Sequence, residues 1–83
     1  MFEVAASDER RDVHELLSRR ELEVLEMASH GLTNMQIASG LSVSVHAVKF
    51  HLAAVYRKLG VRNRTEAVVV FLTGVPAPAS ETQ

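Results

Sequence analysis

The 83-residue sequence predicts an all-α, four-helix fold, and three observations carry that reading. A Ser, Thr or Asn precedes a Glu or Gln by three places at Ser18 and Glu21, Thr33 and Gln36, and Asn63 and Glu66. In this pattern each side chain can satisfy a backbone N–H at a helix start. Val45, Val48, Leu52, Val55 and Leu59 recur at spacings of 3, 4, 3 and 4, which is one face of a helix. Gly31, Gly40, Gly60 and Gly74 punctuate the periodic segments.

The first helix should run from Arg19 to His30, with Leu22, Val24, Leu25 and Ala28 on one side and Gly31 as its left-handed stop. The second opens at Thr33, carries Met35, Ile37 and Ala38, and is expected to be broken by Gly40, leaving Gly40 to Val43 as a turn. Ser44 caps the third, which Gly60 ends while Val61 packs back on it. Asn63 opens the fourth, which reaches Leu72 before Gly74 and Pro76. Val68, Val69 and Val70 are β-branched and would serve equally in a short buried strand. Val13, Leu16 and Leu17 suggest one further helical turn near the start. The organisation expected is an extension or linker over 1–16, a folded domain over 17–74 and a disordered tail over 75–83.

Charge is distributed unevenly along this chain. From Met27 to Thr65 there is no Asp or Glu, but there are Lys49, Arg57, Lys58, Arg62 and Arg64. Acids dominate both flanks, so the charge runs −4, +5 and −2 toward a total of −1. Such a layout suits a small module presenting one face to a polyanion, or simply a solvated helix face. A chain of this size makes one domain with one modest core. Without cysteine it has no disulfide framework and no thiolate metal site. No apolar run approaches a membrane span, no secretory signal stands at Met1, and no repeat is present, so a cytoplasmic protein without membrane contact is expected.

Two helices joined by a tight turn, the second with a basic face, describe a helix-turn-helix. The third helix would span roughly 21 Å, enough to lie across the ~12 Å major groove of double-stranded DNA. Away from its apolar stripe it carries His46, Lys49, Phe50, Ala53 and Arg57. Lys49 would face guanine acceptors or phosphate, and Phe50 either touches a thymine methyl or folds into the core edge. The helix starts at Thr33, Asn34 and Ser44 offer free N–H groups to phosphates, and His51 either donates to one as well or caps a contact between helices.

The segments Leu17-Ser18-Arg19-Arg20-Glu21-Leu22-Glu23-Val24-Leu25, Gly31-Leu32-Thr33-Asn34, Ile37-Ala38, Leu41-Ser42-Val43-Ser44 and Val48-Lys49-Phe50-His51, followed by the run from Lys58 to Ala67, resemble the LuxR-type helix-turn-helix DNA-binding domain of LuxR/FixJ-like transcriptional regulators. The resemblance covers residues 17 to 72. It implies a four-helix domain, an output domain of a response regulator, whose second and third helices read DNA and whose fourth often supports dimers. It places Lys49 and Phe50 at the groove and Asn34, Ser44 and Lys58 near phosphates. Two departures stand out: Ala47 where the family commonly has Thr, and Ala53 where a polar or basic residue is frequent. Both thin the polar contacts available for base reading.

The fourth helix is apolar all round from Ala67 to Leu72, so Val68, Val69, Phe71 and Leu72 are expected at a homodimer interface, unless helix one covers them. A two-fold dimer would read an inverted repeat with half-sites roughly 10 base pairs apart. Two alternatives stay open: a sigma-factor-like promoter-reading module, for which RNA polymerase is a further partner, and a protein-binding adaptor that has lost DNA affinity. An enzyme is not expected. His14-Glu15 lacks a second His four places after the first, and His46 and His51 lie about 140° apart around a helix. Neither catalytic residues, a metal site nor a cofactor is indicated.

Overall fold

A computed structural model of the chain describes residues 13–74. The expected tail and the first twelve residues of the expected linker lie outside the described residues. Every regular element among those described is helical: α1 (Val13–Leu16), α2 (Arg19–Ser29), α3 (Asn34–Leu41), α4 (Val45–Leu59) and α5 (Arg64–Thr73). The valine run of α5 is therefore helix, and the suggested early turn exists as α1.

Side-chain caps fix where four of these helices begin. Ser18 Oγ accepts from the N–H of Glu21 at 3.1 Å, while Glu21 accepts from the N–H of Ser18 at 2.8 Å. Thr33 and Gln36 make the same reciprocal pair at 3.1 and 2.8 Å. Ser44 Oγ accepts from the N–H of Ala47 at 3.0 Å, and Asn63 Oδ1 from that of Glu66 at 2.9 Å. The third box is not reciprocal, because Glu66 reaches back one residue further and accepts from the N–H of Arg62 at 2.8 Å.

One helix end differs from expectation. Gly40 does not break α3 but lies inside it, and the left-handed residue is Ser42, with φ of 59°. A Cβ at Gly40 would meet only the terminal methyl of Met27 on α2, at 2.7 Å, and that flexible side chain can move aside. The α3 to α4 turn is thus short, running from Ser42 to the cap at Ser44.

Burial is organised as two clusters on either side of α2, whose neighbouring Val24 and Leu25 point into different ones. Leu25 joins Val13, Leu17, Val55, Val61, Ala67 and Val70, which ties α1, α4 and α5 together. Val24 joins Ala28, Ile37, Ala38, Val48 and Leu52, which holds α3 and α4. Tyr56 and Val68 touch both. Val13 belongs to this core, so packing begins upstream of the boundary expected at Leu17. Burying a leucine of this kind contributes roughly 1.5–3 kcal/mol.

Two long-range polar braces supplement the core. Lys58 Nζ, near the end of α4, donates to both carboxylate oxygens of Glu21 at 2.9 and 3.1 Å. Burial pushes the Glu21 carboxyl up, but the Ser18 N–H and the Lys58 ammonium outweigh this and hold it below the ordinary value of 4.5. The second brace is Arg64, which donates to the carbonyl oxygens of Ala28 and Leu32 and, at 3.3 Å, to Oδ1 of Asn34.

Candidate nucleic-acid interface

The chain bends by 107° between α3 and α4, within the range of a helix-turn-helix. The buried side of α4 is Val48, Leu52, Ala54 and Val55, with Val45 and Leu59 half-buried at its ends. The apolar periodicity therefore identifies the inward face, and Ala54 adds to it. On the outward side His46, Lys49, Phe50, Ala53 and Arg57 are all exposed.

Phe50 decides between the two sequence readings of its ring: it is 72% exposed and so does not fold into the core edge. Its one ring contact among the described residues is with His51, edge-on with centroids 5.8 Å apart, and His51 is itself half-buried. Lys49 and Arg57 form no ion pair among the described residues, so their charges face solvent. The outward face of α4 thus combines two cations without an ion pair among the described residues, an exposed aromatic ring and an imidazole.

The capping side chains are committed inward, but they leave donors behind. With Thr33 bonded to Gln36, the N–H groups of Asn34 and Met35 have no intrahelical partner, and those of Val45 and His46 are left likewise at the start of α4. Both helix starts can therefore offer backbone donors and a positive dipole end to an anion.

Lys58, expected near phosphates, has its ammonium on Glu21 and braces α4 to α2. Asn34 keeps its position at the first turn of α3, with its carbonyl oxygen taken by Arg64. Arg64 is the residue that sequence reasoning passed over. A signal was available: it directly follows the cap Asn63, where the positive end of the α5 dipole disfavours a cation, so its guanidinium needs partners elsewhere.

On α5 the expected interface residues separate into two pairs. Val68 and Phe71 are half-buried against the core, whereas Val69 and Leu72 are 50% and 66% exposed. The helix is not free all round, because Ala67 and Val70 are buried. Among the described residues no helix is long and apolar enough by itself to cross a membrane, and no group of three metal-ligating side chains occurs.

The chain is similar to known proteins in sequence and in fold. Residues 15–71 match the family model for bacterial regulatory proteins of the luxR family. The chain is 46% identical over 61 residues to the nitrate/nitrite response regulator protein NarP of Escherichia coli K12, covering 74% of this chain and 28% of that protein. It is 37% identical over 60 residues to the response regulator protein VraR of Staphylococcus aureus, covering 72% and 29%. Among solved structures, the response regulator ChrA of a haem-sensing two-component system superposes with a TM-score of 0.67 at 45% identity, over 70% of this chain and 29% of that one. The chain spans less than a third of the length of each of these relatives.

Proposed function

From the premise that this chain belongs to the luxR family of bacterial regulatory proteins, as a DNA-binding domain of the response-regulator output type, we propose that it regulates transcription by laying α4 in the major groove of a specific double-stranded site. The observation that carries this reading is the outward face of α4, where Lys49 and Arg57, without an ion pair among the described residues, and the exposed Phe50 ring stand opposite the buried Val48, Leu52 and Val55. Lys49 meets guanine acceptors or phosphate, and the exposed Phe50 ring offers apolar contact to a thymine methyl. The starts of α3 and α4 add sequence-independent contacts to the backbone. With Ala47 and Ala53 contributing no polar group to base reading, a single copy binds weakly. Two copies, joined through the exposed Val69 and Leu72 with Val68 and Phe71 beneath them, would read an inverted repeat with half-sites roughly 10 base pairs apart.

Selection of bound duplexes from a random library at low and moderate salt, followed by anisotropy titration of the winner, tests this. Enrichment of an inverted repeat is the expected result. A monomeric complex on a single half-site would remove the dimer and leave the groove reading. Failure to enrich any duplex would overturn both.

A further inference from the structure

We propose that Arg64 is a positioning residue for phosphate recognition: it orients the Asn34 side chain so that the amide NH2 is presented as a donor at the first turn of α3. This inference rests on the DNA-binding reading above. A guanidinium carries only donors, so the branch of the Asn34 amide that faces it must be the oxygen, here at 3.3 Å from Nη1. Planarity then directs the NH2 branch away from Arg64, and that NH2 has no acceptor among the described residues. It lies at the same helix start as the unbonded N–H groups of Asn34 and Met35, so three donors serve one anion-facing turn.

Arg64 is itself held. Its Nη2 donates to the carbonyl oxygens of Ala28 and Leu32, at the end of α2 and in the loop leading to α3, leaving Nη1 for Asn34. The guanidinium fork is what permits this division of labour, since one nitrogen anchors to the backbone while the other sets the amide. Without it the amide can rotate, and in half of its orientations an oxygen would face the phosphate.

The test is a double-mutant cycle on the full chain, read by anisotropy against the duplex enriched in the selection above, with thermal melting by circular dichroism as the folding control. Arg64→Met and Asn34→Ala should each weaken binding roughly tenfold, the value of one charge-assisted hydrogen bond, and the double variant should be no weaker than either alone. The salt dependence should be unchanged in Arg64→Met, because Arg64 does not itself meet a phosphate. A fall in the slope of about 0.9 would make Arg64 a direct contact and overturn the proposal, as would wild-type affinity in Arg64→Met or losses that multiply. Should Arg64→Met melt below the assay temperature, Asn34→Asp decides. It keeps an acceptor for Arg64 but replaces the NH2 with oxygen, so affinity should fall more than tenfold in a folded protein, and unchanged affinity overturns the proposal. Wild-type protein that binds no duplex would instead refute the DNA-binding reading, and the inference would fall with it.

Discussion

Raising the salt concentration gives the sharpest test of which cations face DNA. The acid-free stretch holds five cations, and counting all of them predicts that log affinity falls with log salt at a slope of about −4.5 per bound chain. The structure reduces that number. Lys58 is engaged by Glu21, Arg64 by the carbonyl oxygens of Ala28 and Leu32 and by Asn34, and Arg62 pairs with Glu66 at 3.5 Å. Lys49 and Arg57 remain, so the expected slope is about −1.8 per chain, or about −3.6 for a duplex carrying two copies. Between 50 and 200 mM salt this means an affinity loss of about 12-fold for one copy and about 150-fold for two. Anisotropy titrations across that range, with the number of chains per duplex taken from sedimentation of the complex, give the slope per chain. A value near −4.5 would show that the intramolecular pairs open on binding. A value near zero would mean that phosphates are not neutralised at all, as an adaptor docking through apolar surface would behave.

The other predictions concern individual side chains. Lys49→Ala should leave the melting temperature unchanged and lower the slope per chain by about 0.9, measured in the same titration; unaltered binding would remove Lys49 from the interface. Leu52→Asp places a charge in the cluster that holds α3 and α4, and circular dichroism should show an unfolded chain; a folded variant would mean the faces of α4 are reversed. Glu21→Gln should cost about 1–2 kcal/mol at pH 7 by urea unfolding, a value discounted because Lys58 is 39% exposed. The Glu21 carboxyl titrates below its unfolded value, so its contribution is complete above that value and disappears as pH falls through the folded one. The difference between wild type and Glu21→Gln should accordingly vanish in acid. Ser42→Gly relieves a left-handed residue and should stabilise the fold by about 0.5 kcal/mol; a lower melting temperature would show that the hydroxyl matters more than the backbone.

Helix starts and the inward face of α4 were readable in the sequence because both are set locally. A capping residue bonds its own first turn, and a 3-4-3-4 stripe can pack only one way. Gly40 misled because it stands just inside the end of α3 while the left-handed position falls to Ser42, a residue type that gives little local signal for that conformation. The pairings of Lys58 with Glu21 and of Arg64 with Ala28 were hidden because they join residues 37 and 36 places apart. Charge could be counted in the sequence, but which charges were already occupied could not. The sequence leaves Phe50 between two environments because its position lies beside the apolar stripe, and only the packed orientation of α4 separates them.

The self-bonded helix starts also bear on how this chain finds its structure. Four caps close over three residues each, and they need no distant partner to form. The helix starts are thus defined before any distant contact forms, while the loop-closure cost of folding falls on the core, where Val13 and Leu25 pack with Ala67 and Val70. The polar braces between distant parts, Lys58 to Glu21 and Arg64 to Ala28, then act with that core on helices whose ends are already defined.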